Sequence, residues 1–228
     1  MAGENHRPGE ISLAHKGVLF LDETPEFRKD VLQSLREPLE TGSVTIVRAG
    51  RVLRYPADFQ LIMAANPCPC GNLGNPAKHC VCAPSEILRY WKKLGGPLLD
   101  RIDMRIPIHV PNPALIVSSP KNDQQRYTAS VAIAIGRQRS RFGKGQVKRN
   151  SRLDPAEVLA CCALDGASAR LFHLKSEELG LSVRACHSVL KIARTIADMD
   201  EVETITDKIM AEAVGFRQFG DGDSFWPY

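Results

Sequence analysis

No apolar stretch in the 228 residues is long enough to span a bilayer, and Met1-Ala2-Gly3-Glu4-Asn5-His6-Arg7 lacks the charged-then-apolar layout of a signal peptide. No membrane partner is therefore expected, and the chain is assigned to the cytoplasm. A disulfide framework is also poorly supported, because seven cysteines is an odd number in a chain without an export signal. Metal ligation or free thiols account for them better. Internal repeats and long low-complexity tracts are missing, so neither a solenoid nor a disordered tract is the reading. A net charge of +4 is too small to demand a polyanionic partner, and only local clustering of basic residues would argue for one. What remains, with 43% hydrophobic and 25% charged residues, is the makeup of a globular protein with a sizeable core. The length fits one large domain or a core with a smaller satellite; the chain's internal pattern favours two.

The first half alternates apolar runs with amphipathic segments, as in a parallel sheet flanked by helices. Gly17-Val18-Leu19-Phe20-Leu21 ends at Asp22-Glu23 and reads as a central strand covered on both faces. Phe27, Val31, Leu32, Leu35 and Leu39 repeat at helical spacing behind Pro25, which suits a first turn. Val44–Arg48 and Arg51–Tyr55 flank Ala49-Gly50 as the arms of a β-hairpin. Phe59–Ala65 reads as a second buried strand running into Asn66, and Arg105–Val110 as a third, placed at an edge by Pro107. Pro111, Pro113 and Pro120 mark the clearest boundary. Beyond it helices are expected near 124–141, 154–164, 182–199 and 204–218, with Asp154-Pro155 opening the second.

Asp22-Glu23 at the end of a strand is the strongest single chemical signal. Phosphoryl transfer needs a carboxylate for Mg²⁺ and another group to orient the attacking water, and adjacent carboxylates at a strand's carboxyl end supply both. Taken alone, the pair reads equally well as a strand stopping at a solvated acidic turn. Four motifs in order change the balance: Pro8–His15, Gly17–Glu23, Asn66-Pro67-Cys68-Pro69-Cys70-Gly71, and Gly96-Pro97-Leu98-Leu99-Asp100-Arg101-Ile102-Asp103. Together they resemble the magnesium-chelatase-like AAA+ family of bacterial ComM/YifB proteins over nearly the whole chain.

That resemblance implies roles. Asp22 would help hold Mg²⁺ and Glu23 would polarise the lytic water. Asn66 resembles the sensor of the γ-phosphate, Arg101 the arginine finger acting on a neighbouring subunit's nucleotide, and Arg184 the second sensor on a helical lid. Guanidinium groups suit charge developing on phosphoryl oxygens and can act from another chain; without the resemblance, Arg101 reads as a surface ion pair with Asp100 or Asp103. One element of the family is missing. No Gly-x-x-x-x-Gly-Lys-Ser/Thr occurs in the 228 residues, so the backbone nest that cradles phosphates is not among them. The family carries that loop upstream, and Met1 is expected to begin after it and after a protease-like domain. On this expectation the chain alone binds ATP poorly and hydrolyses almost none.

Cys68-Pro69-Cys70 and Cys80-Val81-Cys82 form a Cys-x-Cys, nine-residue gap, Cys-x-Cys array beside His79. Four soft ligands close a tetrahedral, structural Zn²⁺ site, although the spacing is tighter than the usual knuckle; the other reading is four reduced thiols in a loop. Cys161, Cys162 and Cys186 fall on helical segments and read as buried small hydrophobes. Basic residues do cluster. Arg48, Arg51 and Arg54 decorate the hairpin, and Arg126 to Arg152 lie in a stretch, Gln124 to Leu153, without an acid. Such arrays favour phosphate backbones. The hairpin resembles the pore-lining hairpin of minichromosome-maintenance helicases, which makes its arginines candidates for touching DNA; the second array reads rather as a solvated helix face. No histidine is paired by spacing with a nucleophile.

The expected fold class is α/β: an incomplete P-loop AAA+ core, a parallel sheet with flanking helices, over 1–112, a linker over 113–123, a small all-α lid over 124–219 and a loose tail over 220–228. The expected function is that of an ATP- and Mg²⁺-dependent motor of the ComM kind, assembled with its own copies as a ring, taken as a hexamer, and remodelling branched or single-stranded DNA. Two alternatives stand beside it: a chelatase motor driving Mg²⁺ into a porphyrin, and a non-catalytic assembly module.

Overall fold

The computed structural model describes residues 8–48, 51–108, 124–142 and 149–218. The chain divides into two compact units, Met1–Arg101 and Ile102–Pro227. The expected linker over 113–123 and tail over 220–228 lie outside the described residues.

The first unit is mixed α/β. Strand β1 (Val18–Leu21) pairs in parallel with β4 (Gln60–Met63), in the register Val18↔Gln60 to Leu21↔Met63. Between them come a 3₁₀ turn (Thr24–Glu26), helices α2 (Lys29–Ser34) and α3 (Arg36–Thr41), and the antiparallel hairpin β2 (Ser43–Arg48) and β3 (Arg51–Pro56). A short helix, α1 (Glu10–Leu13), precedes β1. The Lys16 ammonium meets the Asp58 carboxylate at 2.6 Å, and the Gln60 N–H donates to the Gly17 carbonyl at 2.9 Å, so the entries to β1 and β4 are tied together. Helix α3 ends at Gly42, whose φ of 66° is the left-handed stop that glycine supplies cheaply. Helices α4 (Pro84–Lys92) and α5 (Gly96–Leu99) complete the unit. Pro84 occupies the first turn of α4, and the Glu86 carboxylate accepts the Ala83 N–H at 2.8 Å.

The second unit is helical. It contains α6 (Gln124–Phe142), a 3₁₀ turn (Asn150–Arg152), α7 (Pro155–Cys161), α8 (Gly166–Glu178), α9 (Val183–Met199) and α10 (Asp207–Gly215). Side chains cap three starts: Asp154 accepts from the Glu157 N–H at 2.9 Å, Asp165 from Ser168 at 2.7 Å and Ser182 from Ala185 at 3.1 Å. Val158, Val189, Ala193, Ile205, Met210 and Val214 lie at the centre of one continuous apolar core.

Several local expectations change. The single helix expected from Phe27 to Leu39 is broken in two, because Pro38 has no N–H to continue a helix from α2 and instead sits in the first turn of a new one. The strands expected to be covered on both faces are covered more fully on one: Phe20 and Ile62, a register pair, are 58% and 43% exposed. The edge strand over Arg105–Val110 does not form among the described residues. Residues 105–108 are irregular, the Arg105 N–H donates to the Phe216 carbonyl at 2.9 Å, and Pro107 has no donor for a ladder. Helix α8, thirteen residues long, is an addition to the expected set. Its apolar residues do not form a clean stripe; the Asp165 cap is the signal that announces it.

Candidate functional site

Parallel pairing of β1 with β4 brings both carboxyl ends to the same edge of the sheet. The ladder runs one step past the strands, with the Ala64 N–H donating to the Leu21 carbonyl at 2.8 Å and the Thr24 N–H to the Ala64 carbonyl at 2.9 Å. Asp22 and Glu23 follow β1 at this edge, and Asn66 follows β4. All three are exposed. Carboxyl ends of parallel strands are where ligands bind in open α/β sheets.

The turn that presents the carboxylates is strained. Glu23 is left-handed, with φ 49° and ψ 41°, a conformation that costs a non-glycine residue on the order of 1 kcal/mol. Asp22 Oδ1 accepts the Glu23 N–H at 2.9 Å. Thr24, fully buried, closes the turn by donating its hydroxyl to the Leu21 carbonyl at 2.9 Å. The neighbouring bonds thus hold Glu23 away from the extended strand and leave its side chain at the surface. A pair of exposed carboxylates on such a turn has the hard oxygen donors that Mg²⁺ prefers.

Asn66 is held by residues that sequence reasoning missed. The hydroxyl of Tyr90, on α4, lies near the backbone of Asn66, and the Trp91 indole N–H donates to the Pro67 carbonyl at 3.0 Å. Tyr90 is 4% exposed and meets Trp91 edge to face, with ring centroids 5.8 Å apart. Burial, with Glu26 and Glu23 carboxylates nearby, pushes the Tyr90 phenol up to about 12, so it stays protonated. Only its adjacency to Trp91, on a short helix between two loop motifs, could have flagged it.

The four cysteines converge. Their sulfurs all lie within 4.8 Å of one another, and none forms a disulfide. Cys68 Sγ is 3.4 Å from that of Cys70 and 3.6 Å from that of Cys80, and Cys70 and Cys80 are 3.7 Å apart. A tetrahedral Zn²⁺ with Zn–S bonds of about 2.3 Å sets its sulfurs about 3.8 Å apart, so the donor set fits. Backbone N–H groups of Asn72 and Val81 bring the Cys70 thiol down to about 6, whereas burial followed by its sulfur neighbours drives Cys82 up to about 12. A metal bound between them would displace the thiol protons and take all four sulfurs as ligands.

The predicted arginines have separate surroundings. Arg101 is ion-paired with Glu40 and donates to the Pro97 carbonyl at 2.5 Å, rather than pairing with Asp100 or Asp103. Arg184 is exposed in the first turn of α9. In the hairpin, Arg48 registers opposite Arg51 and Thr45 opposite Arg54. Strand alternation puts Arg51 and Arg54, three residues apart, on opposite faces. Both are exposed, and Arg54 Nε donates to the Ser43 hydroxyl at 3.0 Å.

The basic stretch of α6 is not a solvated face throughout. Arg141 donates to both oxygens of Asp198, which is 0% exposed, and Arg137 is ion-paired with Glu203. Arg194, also buried, reaches Asp198 at 3.2 Å, and the Asn150 amide donates to Asp198 at 2.9 Å. This network spends two of the arginines on holding helices together; Lys144 and Lys148 lie outside the described residues. Among the thiols read as core, Cys162 is buried and faces the Leu190 carbonyl at 3.5 Å, while Cys161 and Cys186 are only partly buried.

Two family profiles cover the chain: magnesium chelatase, subunit ChlI, over residues 2–115, and the C-terminal part of the same subunit over 121–217. The chain is 42% identical to the uncharacterized protein YifB of Escherichia coli over 92% of its length, and 41% identical over the same share to the competence protein ComM of Haemophilus influenzae. It spans 41% of the length of each. It is also 28% identical, over 72% of its length and 18% of the relative's, to the DNA helicase MCM8 of Bos taurus. No described helix is long and apolar enough to cross a membrane.

Proposed function

The chain belongs to the magnesium chelatase ChlI family, in its ComM/YifB branch, and we propose on that premise that it supplies the hydrolysis edge and helical lid of an AAA+ ATPase motor acting on DNA. The observation that carries the reading is the meeting of Asp22, Glu23 and Asn66 at one edge of the β1–β4 pair. In this reading Asp22 would hold Mg²⁺, which would supply charge neutralisation to a bound nucleotide's phosphates. The left-handed turn aims Glu23 to orient the attacking water. The Asn66 amide, with both donor and acceptor, registers the terminal phosphate and that water. Arg101 serves a neighbouring subunit's nucleotide in a ring of copies, taken as a hexamer, after exchanging its Glu40 partner for phosphate, and Arg184 serves from the lid. The four cysteines hold a structural Zn²⁺.

The hairpin supports DNA as the substrate. Arg51 and Arg54 are exposed on β3, and phosphate backbones favour exposed arrays of basic side chains. The similarity to a protein named a DNA helicase points the same way. The test is ATP hydrolysis by the product of the whole gene, with and without forked DNA. Stimulation by DNA is the expected result. Turnover indifferent to DNA would favour a chelatase motor, and no turnover would favour an assembly module.

A further inference from the structure

The segment that carries Asn66 is also the first half of the four-cysteine centre. Cys68, 0% exposed, is two residues beyond Asn66, and the Gly71 N–H donates to the Cys68 carbonyl at 2.9 Å, closing a turn over Pro69 and Cys70. That turn folds back on Asn66: Gly71 has a φ of 74°, and a Cβ built there would lie 4.0 Å from the Asn66 side-chain Cγ. Asn66 is therefore flanked by two anchors: Trp91 holds the next carbonyl, and the cysteine turn begins two residues further on at buried Cys68. The rest of the loop has no core of its own, because Gly71–Lys78 is rich in glycine, asparagine and proline and holds a single aliphatic side chain of any size, Leu73. Cross-linking through the sulfurs is what can keep the turn in place.

We infer that the zinc of the four-cysteine centre is a positioning device for Asn66: with Trp91 as its counter-clamp, it fixes the sensor amide in the hydrolysis edge. This inference rests on the motor reading and deepens it. Removing the metal frees Cys68–Gly71, so the backbone that follows Asn66 loses its anchor while Asp22 and Glu23, held by Thr24, stay where they are. Nucleotide affinity is then retained and the chemical step is lost, because misplacing a positioned group by about 1 Å costs on the order of 100-fold in rate. Trp91→Phe keeps the ring and all four ligands but deletes the indole N–H that holds the Pro67 carbonyl.

The test measures bound zinc, kcat and KM for ATP in the product of the whole gene, as wild type, Cys80→Ser with Cys82→Ser, Cys82→His, and Trp91→Phe. The expected result is zinc in the wild type and none in the double serine variant, whose kcat falls ~100-fold at unchanged KM. Cys82→His retains a three-cysteine, one-histidine site and restores turnover. Trp91→Phe retains zinc and loses on the order of tenfold in kcat. Full kcat in either the zinc-free variant or Trp91→Phe overturns the inference, as does a wild type that binds no zinc. A second readout does not depend on catalysis. The 228-residue chain has two tryptophans, so Trp226→Phe leaves Trp91 as the sole indole emitter. Chelating the zinc is expected to shift Trp91 emission to the red and open it to acrylamide quenching; an unmoved spectrum overturns the clamp. A zinc-loaded wild type that never hydrolyses ATP sinks the motor reading instead, and the Trp91 spectrum then decides the clamp alone.

Discussion

The two units solve opposite problems with the same residue types. In the helical unit, charged side chains are buried and paired with one another, as Asp198 is with Arg141, Arg194 and Asn150, within helices that enclose an unbroken apolar core. In the mixed unit the acidic side chains of Asp22 and Glu23 stand at the surface on a strained turn, while apolar Phe20 and Ile62 lie half-exposed on the sheet beside them. One unit uses buried charge to specify packing; the other pairs some of its charges, such as Lys16 with Asp58 and Arg101 with Glu40, and leaves the Asp22 and Glu23 carboxylates exposed. A buried ion pair is weak evidence for net stability, but breaking one is costly. An exposed carboxylate contributes little to stability and is free for chemistry.

The contrast predicts how each unit responds to loss of a carboxylate. Asp198→Ala leaves Arg141 and Arg194 without their shared partner and is expected to destabilise the helical unit by about 3–5 kcal/mol, read from its denaturant midpoint. A midpoint within experimental error of wild type would show the network to be ornamental. The same residue sets a pH dependence. Burial raises the Asp198 carboxyl, but the Arg141 and Asn150 hydrogen bonds and the charges of Arg141 and Arg194 outweigh it, so its folded value lies below the ordinary one. Its contribution is therefore present above the unfolded value of about 3.9 and is lost as pH falls through the lower folded value. Acid unfolding of wild type should be steeper below pH ~4 than that of Asp198→Asn, and parallel curves would contradict this.

Glu23→Gln in the whole-gene product is the converse case: ATP turnover drops on the order of 100-fold or more with the melting temperature nearly unchanged. Retained turnover would remove Glu23 from the hydrolysis step, and a large stability loss would make its role structural. A smaller effect is expected at the hairpin. Replacing Arg48, Arg51 and Arg54 with Ala should weaken DNA binding and lower the slope of log affinity against log salt by about one per lost phosphate contact. A slope that does not move would take the hairpin out of the interface. The smallest change, about 1 kcal/mol, belongs to Asp165→Ala, which deletes the cap of α8 in the helical unit. Its thermal midpoint should fall with no effect on zinc content.

Much of this was legible from residue order. The apolar run ending at Asp22-Glu23, the hairpin arms around Ala49-Gly50, the Asp154-Pro155 start and the paired Cys-x-Cys motifs all announce local structure by local rules: alternation, turn chemistry, capping and ligand spacing. Helix α8 is not announced by periodicity because its apolar residues do not align to one stripe, and the apolar spacing from Phe27 to Leu39 does not show the break that Pro38 imposes. Tyr90 and Trp91 were passed over for a different reason. Nothing in a nine-residue helix states that its aromatic pair will reach back some 24 residues to the segment at Asn66-Pro67.

By itself, then, the sequence determined which residue types stand in which order and where many of the strands, turns and helices begin, because those properties depend on side-chain type and on neighbours a few positions away. Tertiary structure alone decided who meets whom. It set β1 beside β4 so that Asp22, Glu23 and Asn66 share an edge, gathered four sulfurs within 4.8 Å, and turned Arg141 inward to Asp198 rather than outward to solvent. Those outcomes depend on contacts between residues far apart in the chain, whose free energy is settled only when the whole unit packs.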